Sequence, residues 1–357
     1  MIKEIDKINK HSFYFKLISI IVILILTFSV GIFFTVNYFN NKKEPAKPSD
    51  NTVDNNTDIK EELSVKTKLN IIDESSNERP IAVMINNHYD AVNLQSGLQD
   101  AYVIYEMQVE YEITRLMALF KDKTTARIGS IRSARHTYLD YVLEHDAIYV
   151  HFGWSYMAES QIPSLGINNI NGLYDSGFFR DTSLNVAYEH TAFTSMEGIK
   201  NTIKNKGYRT TTSKKVPFNY SLEDYDLNGE LANNVIINLS RYYQVTFKYD
   251  SFSKTYSRFV NNIPNVDYVT KKQYTTKNIL ILRINNYTIA YPLQQFDNIG
   301  SGTGHFITNG KLINIRWEKS SRESPTKYYD LEGNEILLND GNTYVEIIPP
   351  LNTVIYE

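Results

Sequence analysis

The sequence predicts an α/β or α+β N-terminal domain with a mixed sheet and few helices, followed by a mostly-β C-terminal domain, with a single N-terminal transmembrane helix before both. Three observations lead to this fold class. A long apolar run lies near the N-terminus, strand-like and helix-like patterns alternate up to about residue 211, and short β-rich runs dominate after it. The 357 residues suffice for an anchor and two domains.

The apolar run covers residues 13–36, FYFKLISIIVILILTFSVGIFFTV, and is long enough for one helix across the ~30 Å hydrocarbon core of a bilayer. Four lysines lie before it or near its start and two follow it closely, so residues 1–12 are predicted to be a cytoplasmic tail. A cleaved signal peptide is the alternative, but aromatic residues follow the run where small residues would mark a cleavage site. We therefore expect a single-pass cell-membrane protein with extracellular C-terminal domains.

Residues 37–68 are predicted to be a disordered linker, because the stretch is polar and contains Pro45 and Pro48. The formal net charge is -3, and the chain beyond the basic N-terminus is acidic, which argues against nucleic-acid binding. The absence of Cys excludes disulfides, a thiol nucleophile and a lipid-modified cysteine.

Residues 69–211 form the predicted N-terminal domain. The strand-like runs are 81–86, 101–110, 114–121 and 147–152. Helical spacing between Ser133 and His145 predicts one helix. Thr194 with Glu197 predicts the capped start of another helix, and Gly207 predicts its end.

Residues 212–357 form the predicted C-terminal domain, in which helix signals are lacking. Its strand-like runs are NVIINL, YQVTFKYD, SKTYSRFV, NILILRI, HFITNGKLINIRW and TYVEIIPP. The G-x-G-x-G pattern of Gly300, Gly302 and Gly304 precedes a β run, so we interpret it as a bend before a strand and not as a phosphate loop.

Several longer strings carry a resemblance to a known family. They are RPIAVMINNH (79–88), QSGLQDAYVIYE (95–106), ITRLMALF (113–120), IGSIRSAR (128–135), YVHFGWS (149–155), NGLYDSGFFRD (171–181), GHFITNGKLINIRWEKSS (304–321) and LNDGNTYVEIIP (338–349). The chain resembles the YerB-like family of bacterial envelope lipoproteins, with DUF3048 N- and C-terminal domains of unknown function. The resemblance implies an extracytoplasmic protein, and this chain departs from it by lacking the lipoprotein Cys.

Arg132 and Arg135 form the strongest candidate site. They lie where a strand meets a predicted helix, so two guanidinium groups on one helix face near its N-terminus would suit a carboxylate or phosphate. The alternative is that both arginines pair with structural carboxylates, for which Glu106 and Glu110 on the preceding strand are candidates. His151, Trp154, Asp175 and Arg180 are further ligand-binding candidates near strand ends and loops.

Glu106, Glu110, His151 and His190 are the candidates for acid–base catalysis, should the protein be an enzyme. No histidine lies at a recognised metal-ligand spacing, so no metal and no cofactor are predicted. The leading hypothesis is an envelope module that binds an anionic peptide, glycan or partner protein. The alternative is a cell-wall hydrolase or transferase with a Glu/His pair and an arginine clamp.

Overall fold

The computed structural model describes residues 68–357. The predicted cytoplasmic tail, the transmembrane helix and all but the last residue of the linker lie outside the described residues. Within residues 68–357 no helix is both long and apolar enough to cross a bilayer.

Three α-helices occur in the described part of the chain. They are α1 Leu139–Glu144, α2 Tyr156–Ser164 and α3 Met196–Lys206. Short 3-10 helices cover Val92–Leu94, Leu98–Asp100, His136–Tyr138 and Tyr188–His190. All of these helices precede residue 212, which confirms few helices and a mostly-β C-terminal part.

Strands make up most of the remaining regular structure. Between residues 68 and 212 they are β1 Ile81–Ile85, β2 Val103–Glu110, β3 Ile113–Phe120, β4 Ile128–Gly129, β5 Ile148–His151, β6 Asn169–Asn171, β7 Phe178–Arg180 and β8 Ala192–Thr194. After residue 212 they are β9 Tyr220–Ser221, β10 Glu230–Leu231, β11 Asn234–Asn238, β12 Gln244–Asp250, β13 Thr255–Val260, β14 Ile263–Pro264, β15 Thr275–Thr276, β16 Asn278–Arg283, β17 Asn286–Ala290, β18 Leu293–Phe296, β19 Gly300–Thr308, β20 Lys311–Lys319, β21 Lys327–Tyr329, β22 Leu338–Asn339, β23 Thr343–Ile348 and β24 Val354–Tyr356.

The main sheet has the strand order β10-β20-β19-β16-β23-β2-β3-β1-β5-β6, with β17, β18 and β21 attached outside this path. It is mixed, as predicted: β1 with β5, β5 with β6, β2 with β23 and β16 with β23 are parallel pairs, and the other pairs along the path are antiparallel. Because β2 pairs with β23, strands from both sides of residue 212 share this sheet. The domain boundary at 211/212 stays a prediction.

Both faces of the main sheet are covered by other elements. On β1, the side chains of Ala82 and Met84 belong to one buried core, and those of Ile81, Val83 and Ile85 belong to the other. Helices α1 and α2 cover the first face, and α3 with the six-stranded sheet of β11–β15 and β24 covers the second. Burial on both faces explains why β1 is a continuous apolar run in the sequence.

The predicted start of α3 is wrong by one residue. Thr194 belongs to β8, and its hydroxyl donates to the carbonyl of Gly177 at 2.6 Å. Ser195 caps the helix instead, because its Oγ accepts from the backbone N–H of Gly198 at 3.0 Å. The predicted end is confirmed by Gly207, which has a φ of 63° and follows Lys206.

Two further interpretations of the sequence need correction. The helix expected between Ser133 and His145 is shorter, since a 3-10 turn over 136–138 leads into α1. The glycines at 300–304 are not a bend, because β19 begins at Gly300. A Cβ at Gly302 would lie 2.7 Å from the indole of Trp317 on β20, so the absent side chain makes room for that ring.

Candidate functional site

The C-terminal ends of several strands meet at one edge of the main sheet. Strands β1 and β2 run in the same direction because both are antiparallel to β3, and β5 and β6 are parallel to β1. The chain therefore leaves β1 at residue 86, β2 at residue 111 and β5 at residue 152 on the same side. In open α/β sheets ligands bind at this kind of edge.

Residues 131–135 cross this edge between the ends of β1 and β5. The backbone N–H of Arg132 donates to Met84 at 3.0 Å, and its carbonyl accepts from Phe152 at 3.0 Å. These bonds hold the segment extended, and Arg135 has a φ of -128° and a ψ of 140°. The prediction that the two arginines share a helix face is therefore wrong, although both lie between a strand and a helical turn, as expected.

Four guanidinium groups collect here, and we call them the arginine cluster: Arg115, Arg132, Arg135 and Arg180. Arg115 lies near the start of β3 and Arg180 at the end of β7. Burial lowers the pKa of Arg132 from its ordinary value, and the charges of Arg135 and Arg180 add to this lowering. The cluster thus consists of cations close enough to repel one another.

Two carboxylates partly neutralise the arginine cluster. Glu110, at the end of β2, pairs with Arg135 and lies 3.8 Å from an Nη atom of Arg115. Glu189 lies 3.7 Å from an Nη atom of Arg132 and is half exposed. Glu110 is thus a structural carboxylate partner of Arg135, as the alternative interpretation of the sequence expected.

Arg180 is held without a carboxylate contact among the described residues. Its guanidinium donates to the carbonyl of Tyr188 at 2.6 Å and lies over the rings of Phe152 and Tyr188, at 4.6 and 3.8 Å from their centroids. Stacking fixes the orientation of the group and leaves its charge unbalanced.

Arg115 is the most buried member of the cluster, and it was not identified from the sequence. Its side chain is only 7% exposed, and among the described residues no acceptor bonds to its Nε. Burial, reinforced by Arg135, lowers the pKa of Arg115 to about 9. The sequence feature that could have identified Arg115 is its position as the single charged residue in the apolar run ITRLMALF.

Two imidazoles and a carboxylate lie beside Arg132. The rings of His88 and His190 stack with centroids 5.2 Å apart, and Asp90 Oδ2 lies 3.6 Å from His88 Nδ1. The side-chain amide of Asn86 lies 2.8 Å from His190 Nδ1, so Asn86 and not Glu189 orients this ring. Burial lowers the pKa of both histidines, and nearby Arg132 lowers it further, which favours neutral rings at pH 7.

His151 and Trp154 lie at the end of β5, where their rings are 5.6 Å apart. His151 is fully buried, with Nδ1 2.8 Å from the carbonyl of Gly153 and Nε2 3.2 Å from Asn169 Oδ1. Burial lowers the pKa of His151 to about 4, so the ring is neutral and donates from Nδ1 to Gly153. A flip of the Asn169 carboxamide lets Nε2 accept from its amide nitrogen, so that both ring nitrogens are engaged. This arrangement suits a structural role.

Asp175 follows β6 and fixes a turn. Its carboxylate accepts from the backbone N–H of Asn171 at 2.8 Å and pairs with Lys206 Nζ at 2.7 Å. Neither partner belongs to the arginine cluster, so these contacts do not place Asp175 in that site.

Glu106 lies in the interior, apart from the arginine cluster. It is fully buried and pairs with Arg258 of β13 at 2.7 Å, and it accepts from Asn87 at 2.8 Å and from Thr114 at 2.7 Å. A register shift between Gln108 and Glu110 separates it from the end of β2. The structure therefore brings Glu110, Arg132, Arg135, Arg180 and His190 to one region, and it places Glu106 in a different network.

A separate cleft of about 700 Å³ lies near the start of β1. Arg79 and Arg209 line it, and both pair with Asp146, at 3.3 and 2.8 Å. Arg79 also donates to the carbonyl of Asp146 and to the side chain of Asn168, so its hydrogen-bonding groups are satisfied. The cleft is therefore a weaker candidate for an anion than the arginine cluster.

Residues 67–209 match the family described as "Protein of unknown function (DUF3048) N-terminal domain", and residues 235–345 match the DUF3048 C-terminal domain. The chain is 29% identical over 286 residues to "Putative lipoprotein YerB" of Bacillus subtilis (strain 168), over 77% of this chain and 82% of that protein. It is also similar to the crystal structure of the YerB protein from Bacillus subtilis, with a TM-score of 0.69 and 27% identity, over 78% of this chain and 94% of that one.

Proposed function

The chain belongs to the DUF3048 family, as its motifs predicted, and from this premise we propose that it is a cell-envelope protein whose outer part binds an anionic ligand at the arginine cluster. The family is described as one of unknown function, so the support comes from the residues of this chain.

The envelope location is supported by the relative and by the N-terminal sequence. The Bacillus subtilis protein carries the name "Putative lipoprotein YerB", and lipoproteins are held at the membrane surface by lipid. This sequence contains no Cys to carry such a lipid, and the apolar segment 13–36 would anchor the chain in its place. The lysines before that segment favour a cytoplasmic N-terminus and extracellular C-terminal domains.

The observation that carries the binding proposal is the buried and only partly compensated charge of Arg115. Burying a guanidinium costs free energy unless ion pairs and hydrogen bonds replace its hydration. Arg115 shares Glu110 with Arg135, and no described residue accepts a hydrogen bond from its Nε. The carboxylate or phosphate of a ligand bound at the arginine cluster would add negative charge near Arg115 and raise its pKa toward the ordinary value.

The surroundings indicate the class of ligand. Tyr89 and Tyr188 are 74% and 65% exposed and lie beside His88 and Arg180. Exposed aromatic rings next to guanidinium groups offer flat apolar contacts together with charge-assisted hydrogen bonds. We therefore favour an anionic peptide or glycan of the cell wall, or an acidic segment of a partner envelope protein.

The alternative of a hydrolase or transferase has less support. Glu106 is enclosed in an ion pair with Arg258, and His151 has both ring nitrogens engaged. Neither group is available as an acid or base in this arrangement. Glu110 and His190 stay in the vicinity of the arginine cluster, but Glu110 is committed to Arg135.

Residues 64–357 form one compact unit and provide the material for a binding test. This fragment and its Arg132→Gln variant would be incubated with purified sacculi and with soluble muropeptides, and both retention and product release would be measured. Loss of one charged contact should weaken binding by at least about tenfold. Binding should also weaken with added salt.

Arg316→Gln is the matched control, because Arg316 is exposed on β20 and pairs with the exposed Glu318. Unchanged retention in Arg132→Gln, or an equal loss in Arg316→Gln, would argue against binding at the arginine cluster. Release of soluble products by the wild-type fragment would favour the enzyme.

A further inference from the structure

His88, Asp90 and His190 come from two segments of the chain and converge on one point. His88 and Asp90 lie in the turn after β1, and His190 ends the 3-10 helix between β7 and β8. One ligand atom from each residue lies within 4.8 Å of the other two. From this geometry we propose that the three side chains bind a divalent transition-metal ion of the zinc type, with a coordination position left open beside Arg132.

The distances are compatible with a metal site after a small adjustment. Two ligand atoms on a tetrahedral Zn²⁺ lie about 3.3 Å apart, given bond lengths of about 2.0–2.1 Å. His88 Nδ1 and Asp90 Oδ2 are 3.6 Å apart. The ligand atoms of the remaining pairs lie within 4.8 Å of each other. Each pair therefore needs to approach by at most roughly 1.5 Å to reach the tetrahedral spacing.

The residue types select the class of ion. Two imidazole nitrogens and one carboxylate oxygen suit Zn²⁺, Co²⁺, Ni²⁺ or Mn²⁺, whereas Ca²⁺ and Mg²⁺ prefer oxygen ligands alone. Three protein ligands leave at least one position for water or an added ligand, as in catalytic zinc sites. The set is therefore an open site.

Asn86 supplies the outer support that such sites use. Its side-chain amide lies 2.8 Å from His190 Nδ1 and leaves Nε2 of that ring free for a metal. A flip of the Asn86 carboxamide lets Oδ1 accept from Nδ1–H, at the loss of the 3.2 Å bond from the backbone N–H of His88.

The positive charge of Arg132 repels the metal ion, so the group that occupies the open coordination position should be anionic. Asp90 and Glu189 offset part of the combined charge of the metal and the guanidinium, which leaves a positive site. An anionic oxygen bound at the open coordination position could also accept from Arg132. This last step rests on the proposed function, whereas metal binding by itself does not.

The test uses the full chain in lipid nanodiscs, stripped of metal with a chelator and titrated with ZnCl₂ and CoCl₂. Calorimetry should give one ion per chain, and bound Co²⁺ should show visible d–d absorption with nitrogen ligands. His190→Ala and His88→Ala should weaken binding by at least about tenfold. Asp90→Asn is a milder variant, since its carboxylate is half exposed and its loss leaves the core intact.

His305→Ala is the matched control, because His305 is also partly buried and contacts Tyr356 far from the proposed ligands along the chain. Absence of Zn²⁺ and Co²⁺ binding in the wild type would overturn the proposal, as would equal affinity in wild type, His190→Ala and Asp90→Asn. Arg132→Gln separates the two proposals: it should keep or strengthen metal binding while it weakens retention on sacculi.

Discussion

A buried glutamate should make the stability of the protein fall as the pH rises. Glu346 on β23 lies opposite Glu106 on β2, and both side chains are inaccessible to solvent. Neither carboxyl oxygen of Glu346 has a hydrogen-bond partner among the described residues, whereas Glu106 pairs with Arg258. Burial, and then the charge of Glu106, raises the pKa of Glu346 well above its ordinary value, and Arg258 only partly opposes this.

The sign and size of the effect follow from proton linkage. Below the ordinary pKa of 4.5, folded and unfolded chains both carry the proton on Glu346 and no penalty arises. Above that pH the unfolded chain releases a proton that the folded chain keeps. The free energy of unfolding then falls by about 1.4 kcal/mol for each pH unit, until the pH reaches the raised folded-state pKa.

Glu346→Gln removes this proton exchange. Urea unfolding of residues 64–357, measured at several pH values above about 5.5, should show the variant gaining about 1.4 kcal/mol per pH unit relative to wild type, until the pH reaches the folded-state pKa of Glu346. The constant cost of the buried amide cancels in this slope. Glu332→Gln, at an exposed position, is the control and should differ from wild type by a constant amount. Parallel curves for wild type and Glu346→Gln would refute the assignment of a buried, protonated Glu346.

Two other substitutions test the packing. Gly198→Ala should destabilise the fold by about 1–3 kcal/mol in thermal unfolding, although Ala favours helices, because a Cβ there would lie 2.6 Å from the carbonyl of Gly177. Asn201→Ala, at an exposed position on α3, should be neutral or stabilising, and equal Tm values for the two variants would contradict the close contact. Lys319→Met should cost about 3–5 kcal/mol in urea unfolding, because it leaves Glu144 buried without its cation. Adding Glu144→Gln should restore part of that loss, and a strictly additive double variant would argue against the pair.

Local patterns in the sequence predicted the elements that depend on neighbouring residues. The apolar runs at 81–86 and 114–121 became β1 and β3 within about a residue, since both are buried on both faces. Gly207 marked the end of α3 because only a residue that tolerates positive φ fits there. The start of the same helix was displaced because β8 retains Thr194 through its pairing with β4 and β7.

The candidate site was only half predictable, because its parts come from distant segments. Arg132 and Arg135 could be found from their position between a strand and a helix. The pairing of Glu106 with Arg258 and the meeting of His88 with His190 follow from tertiary packing, and no local spacing encodes them. Arg115 was missed for a related reason. It lies in an apolar strand, and its proximity to Arg132 and Arg135 arises only from tertiary packing.

The pairing of β2 with β23 constrains the order in which the polypeptide acquires its shape. Val103 lies beside Thr343, so β2 pairs with a strand from a distant part of the sequence. Because β2 is synthesised long before β23, one side of β2 stays unpaired until β23 is available, and such an open edge invites association with other chains. Long-range closure of this kind is slow. We therefore expect truncation of the chain before residue 343 to yield aggregated and degraded protein.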